Sequence, residues 1–96
     1  MIEKIKEIKN QIDVEVNQIK NLFDLDQFRI KYLSRKGLIA ELFEALKKVS
    51  SSDKPALGKA VNELRTSTQS IHDEKKSFIE MLDKEFFSFL KTYIEK

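Results

Sequence analysis

The chain has ninety-six residues, with only two Gly and one Pro, no Cys and no Trp. Tight turns run on Gly and Pro, so few breaks are available. With 41% hydrophobic and 35% charged residues, one small helical domain with a thin core is predicted. The absence of Cys excludes a disulfide scaffold, a thiolate metal site and a thiol nucleophile, and fits a reducing, cytoplasmic setting. The net charge of +2 hides an uneven distribution: residues 1–28 carry −2, residues 29–65 carry +5 and residues 66–96 carry −1. A basic middle third points to a polyanionic partner.

In chain order, Ile2, Ile5, Ile8, Ile12, Val16, Ile19 and Phe23 step by three and four, which predicts an amphipathic helix of about six turns. Its beginning has no apolar export-signal core, and no apolar run approaches the roughly 18 residues of a membrane span. Asp24 is the expected cap of a second, short helix carrying Leu25, Phe28, Tyr32 and Leu33. That helix should end at Gly37 in a left-handed cap. Leu38, Ile39, Leu42, Phe43, Leu46 and Val49 mark a third helix. Ser50 to Asp53 supply a break and a cap, and Pro55 fits the first turn of a last helix.

From about Asp53 to Ile94 nothing interrupts that helix, which would be roughly 60 Å long. Leu57, Val61, Leu64, Thr68, Ile71, Lys75, Phe78 and Leu82 follow strict heptads, and the register slips by one at Phe86, Phe89 and Tyr93. The expected fold is all-α: an elongated antiparallel coiled-coil hairpin of two long helices, with two short helices at its tip. It forms a single helical domain, residues 1–96, with residues 1–23 pairing with 72–96 as a stalk and residues 24–71 as a basic tip.

Catalytic chemistry has no foothold in this sequence. His72 is the sole imidazole, which excludes a Ser–His–Asp set in practice and leaves no metal cluster; a place on the helix surface or at the seam edge suits it. The two Gly are too far apart for a phosphate loop. Phe86, Phe87, Phe89 and Tyr93 suit packing against Ile2, Ile5 and Ile8 better than base stacking, and Phe87 lies off the seam, where a partner domain could dock.

Two places break local rules. Gly58 interrupts the last helix at a cost of about 1 kcal/mol relative to Ala, in a stripe that also holds Lys54, Asn62, Arg65 and Gln69. A bare backbone there serves either close approach of a phosphate backbone or tight packing by a neighbouring helix. Arg35 and Lys36 precede Gly37, where cations favour a helix end and also stand within reach of a polyanion.

The segment FRIKYLSRKG at residues 28–37, the Leu-rich helix after it, and KPALGKAVNELR at residues 54–65 resemble the N-terminal region of the bacterial phenylalanyl-tRNA synthetase alpha subunit. Arg29, Tyr32, Leu33, Lys36, Gly37, Pro55, Gly58 and Asn62 match the family pattern outright, and Ile30, Arg35 and Arg65 match in kind. Ser34 departs from the usual Gly. The resemblance implies a coiled-coil arm that grips the outer corner of the phenylalanine-specific tRNA. It also implies a parent (αβ)₂ enzyme with a beta subunit and a catalytic domain using ATP and Mg²⁺, with no cofactor in this chain. The candidate tRNA-binding residues are Lys31, Arg35, Lys36, Lys59, Asn62 and Arg65. The alternative is a coiled-coil protein–protein interaction module with no RNA role; a membrane-bound helix is not expected.

Overall fold

The first break in the chain falls at a pair of asparagines. In the computed structural model, which describes the backbone of residues 1–94 and the side chains of residues 1–84 and 91, the order is α1 (Ile2–Val16), α2 (Leu22–Leu33), α3 (Leu38–Leu46) and α4 (Lys54–Ile94). The fold is all-α, as expected. The first helix is shorter than its apolar stripe implies. The Asn17 side-chain amide donates to the Asp13 carbonyl at 3.1 Å, and such local bonds compete with helix continuation. Asn21 then caps α2, its Oδ1 accepting from the Asp24 N–H at 2.8 Å. The Asp24 carboxylate reaches back to the Lys20 N–H at 3.1 Å. Asn21 is therefore the cap, and Asp24 in the first turn holds the residue before it. Phe23, the last member of the stripe, is left exposed.

Gly37 is also used differently from the expectation. Its φ is −76° and its ψ 173°, ordinary extended backbone, and no described residue has a positive φ. It opens α3 rather than closing α2 in a left-handed turn. A Cβ at this position would lie 2.9 Å from the Tyr32 carbonyl carbon and 3.0 Å from the oxygens of Lys31 and Tyr32. The requirement is one of space: two backbones meet where only hydrogen fits.

α1, α2 and α3 all pack on α4, and α2 packs on α3. The core gathers Ile8 and Ile12 of α1, Phe28 and Tyr32 of α2, Ile39 and Leu42 of α3, and Val61 and Leu64 of α4. The heptad seam of α4 thus supplies the common wall. Thr68 on the same seam is buried, and its hydroxyl donates to the Leu64 carbonyl at 2.7 Å, so its polarity is satisfied within the helix.

The pairing of α1 departs from the antiparallel hairpin. Met1, Ile2 and Glu3 share a hollow with Asp53, Ala56 and Leu57, so the first turns of α1 and α4 lie side by side and the two helices run in the same direction. Because α1 stops at Val16, it is too short to reach along the far half of α4. Only α4 is long, and the described molecule measures 68 × 20 × 17 Å. On the far half Phe78, Met81 and Leu82 are exposed. The expected stalk partners Phe86, Phe87, Phe89 and Tyr93 lie outside the described side chains.

The two glycines should respond oppositely to substitution. Gly37→Ala forces backbone apart and should lower unfolding free energy by about 1–3 kcal/mol. At Gly58 a Cβ would meet nothing within 4 Å, so Gly58→Ala should raise it by about 1 kcal/mol. Urea denaturation of both variants checks the pair, and equal effects would contradict this structure.

Candidate nucleic-acid interface

The candidate site is built outward from Tyr32, which is 0% exposed. Its ring packs on Phe28 with centroids 5.0 Å apart and tilted by 55°, a favourable aromatic geometry. A buried phenol needs a partner for its hydroxyl, and Glu15 of α1 provides it, accepting the Tyr32 hydroxyl proton at 2.6 Å. The other carboxylate oxygen of Glu15 binds the Lys31 ammonium, which also sits 5.3 Å from the centre of the Tyr32 ring. One carboxylate thereby ties the end of α1 to the last turn of α2. Burial pulls the Glu15 carboxyl upward, yet the hydrogen bonds from Lys31 and Tyr32 outweigh it and hold its pKa below the ordinary 4.5. Burial, and then the bond to Glu15, push the Tyr32 phenol well above its usual range.

This tie separates the six candidate residues. Lys31 is engaged by Glu15, and the pair is half-exposed. Arg35, Lys36, Lys59 and Arg65 are exposed, and among the described residues none of them is in an ion pair. The α2–α3 joint carries Arg35 out of the last turn of α2, and Arg65 stands beside the seam of α4. The two arginines border one hollow of about 210 Å³, together with Leu33, Ser34, Ile39 and Phe43. On its other side Arg35 borders a second hollow with Glu41, Glu44 and Lys48. Asn62 is exposed but faces a different surface, with Glu63 and Glu74. The structure thus brings Arg35 and Arg65 together and leaves Asn62 apart.

Glu15 was missed by sequence reasoning. It sits on the polar side of the α1 stripe, and only the helix break at Asn17 brings it over α2. Gly58 is clearer than before: the open space around it removes helix packing as its reason. His72 is buried at the seam edge, with Nδ1 3.0 Å from the Asp73 carboxylate. No group of His, Cys, Asp and Glu among the described residues could hold a metal ion, and no helix among them is long and apolar enough to cross a membrane.

The structure is a helical domain in which Arg35 and Arg65, exposed and in no ion pair among the described residues, border one hollow between the α2–α3 joint, α3 and α4. Residues 20–85 match the family described as the N-terminal domain of class II aminoacyl-tRNA synthetases, and the chain belongs to that family. Its relatives are phenylalanine–tRNA ligase alpha subunits. That of Clostridium novyi (strain NT) is 35% identical over 85 residues, 88% of this chain and 25% of the relative. That of Syntrophus aciditrophicus (strain SB) is 38% identical over 85 residues, with the same coverage. That of Thermotoga neapolitana is 35% identical over 78 residues, 81% of this chain and 24% of the relative. The chain spans about a quarter of the length of these relatives. No solved structure matches it.

The Glu15 tie has a pH signature. A carboxyl whose folded pKa is lowered stabilises the fold above its unfolded value and loses that contribution as the pH falls through the folded value. Stability should therefore drop as the pH falls below the ordinary carboxylate value of 4.5, and Glu15→Gln should flatten that part of the profile. Tyr32→Phe should cost about 1 kcal/mol at neutral pH. Thermal unfolding across this range reads both effects.

Proposed function

We propose that the chain is the tRNA-binding arm of a phenylalanine–tRNA ligase alpha subunit. It holds the outer corner of the phenylalanine-specific tRNA so that a catalytic domain elsewhere in the parent can aminoacylate it, in the cytoplasm. The observation that carries this reading is the meeting of Arg35, from the α2–α3 joint, and Arg65, from α4, around one hollow, neither of them in an ion pair among the described residues. Exposed cations outside ion pairs are poised to replace the counterions of a phosphate backbone. Lys36, next to Arg35 in the α2–α3 joint, and Lys59 on α4 are exposed and would add further positive charge. Asn62 would contribute at its margin as a neutral donor, and Lys31 contributes less because Glu15 already engages it.

Gly58 supports the reading from another direction. Its cost to the helix has no return inside the molecule, whereas a bare backbone beside Lys54, Lys59 and Arg65 admits close approach of a phosphodiester chain. The family and the relatives agree with this role. ATP, Mg²⁺ and the beta subunit belong, on this proposal, to the parent (αβ)₂ enzyme, and this chain supplies tRNA positioning alone.

The alternative, a coiled-coil interaction module, is favoured by one observation: the heptads of α4 continue through Phe78 and Leu82, where the seam is exposed. Concentration-dependent sedimentation without RNA affinity would select it.

Titration of phenylalanine-specific tRNA with the chain should give weak binding whose logarithm falls with the logarithm of salt, with a slope of roughly −3 to −4 for four phosphate contacts. Replacing Arg35 and Arg65 by Ala should reduce that slope by about two, and Lys31→Ala should change it less. Gly58→Ala should weaken binding while the protein gains stability. Affinity insensitive to salt and to Arg35 and Arg65 would defeat the proposal.

A further inference from the structure

The hollow between Arg35 and Arg65 has more in it than phosphate binding requires. A phosphate contact needs only cations at a surface, and an apolar floor beneath them is unfavourable to an anion. Here the lining is largely apolar, with Leu33, Ile39, Ala40 and Phe43 beside Tyr32 and Ser34, and the two arginines complete it. Such a combination suits a ligand with a flat apolar body and a charged end. We infer that this hollow takes one unstacked nucleobase from an RNA loop, its faces against Phe43 and Leu33 and its phosphate between Arg35 and Arg65.

The geometry of RNA makes this selective. In a continuous duplex every base is stacked and paired, and the protein meets only backbone and groove edges. A base free to enter an apolar hollow comes from a loop or a bulge, where stacking against an aromatic side chain replaces the stacking it lacks. Phe43 is half-buried, fixed by α3 against the core, so the surface offered to the base is preorganised. The hollow measures about 210 Å³ and is open to solvent, so it has room for a single base. Ser34 and the guanidiniums can donate to the base edge, which would add a preference among bases to a contact otherwise blind to sequence.

This inference rests on the RNA-binding reading above, and the test separates the two. The full chain is titrated, at one fixed salt concentration, with phenylalanine-specific tRNA transcript and with a fully paired RNA duplex of equal length. The transcript is expected to bind at least about five-fold more tightly, the effect of one base–aromatic contact. Phe43→Leu, which keeps an apolar side chain and removes the ring, should bring transcript affinity down toward that of the duplex and leave both the duplex affinity and the salt slope unchanged. Circular dichroism establishes that the variant is folded. Equal binding of the two RNAs by the parent chain overturns the inference, as does wild-type transcript affinity in folded Phe43→Leu; either result leaves phosphate binding standing. Failure of both RNAs to bind overturns the RNA reading and this inference together.

Discussion

The rest of the structure depends on a fully buried tyrosine that must satisfy its hydroxyl. Tyr32 lies at the point where all the helices come closest: its ring faces Phe28, the backbone before α3 presses on its carbonyl, and α4 closes the far side with Val61 and Leu64. Leaving its O–H unpaired would cost desolvation with nothing in return. The bond to Glu15 removes that cost and, in the same step, fixes where α1 ends relative to α2. The tie also gathers Lys31, so one carboxylate organises an aromatic, a cation and the junction of two helices.

That arrangement sorts the basic residues by use. Some cations are neutralised locally, as Lys31 is by Glu15, Arg29 by Asp26 and Lys47 by Glu44. Arg35 and Lys36, just past the end of α2, and Arg65 on α4 form no ion pair among the described residues. Rigid placement and absence of a local partner are together what an anion-binding surface needs. An acid at position 31 or 35 would disturb the balance in different ways, the first by repelling Glu15 and the second by closing off the hollow.

Much of the fold was legible in the sequence because heptad spacing and Gly and Pro placement act locally. The long helix from Lys54, Pro55 in its first turn, and the short helices around Tyr32 and Leu42 all follow from periodicity and breaks. The end of α1 was not legible, since Ile19 and Phe23 keep the apolar rhythm after the helix has stopped, and the signal lay instead in the polar pair Asn17 and Asn21. The direction of α1 against α4 was hidden for a related reason: an apolar stripe tells which face is buried, never against which stretch of a longer neighbour. Gly37 was correctly marked as a necessary glycine on mistaken grounds, because sequence does not distinguish a left-handed turn from a crowded backbone. In the candidate site, Arg35 was legible as a cation at a helix end and Arg65 as a member of the Gly58 stripe, whereas their shared hollow depends on how α2, α3 and α4 pack. Asn62 looked like their neighbour on a helical projection but turns toward Glu63 and Glu74.

α4 carries no Gly after Gly58 and no Pro after Pro55, so its remaining turns have none of the usual places to bend. Three helices grip it near one end, and about half its length extends beyond α1. Such a helix acts as a lever: a small tilt imposed at the far end becomes a large sideways travel of the packed end. A tilt of that far half would thus redirect Arg35 and Arg65 without any change of shape in the packed end.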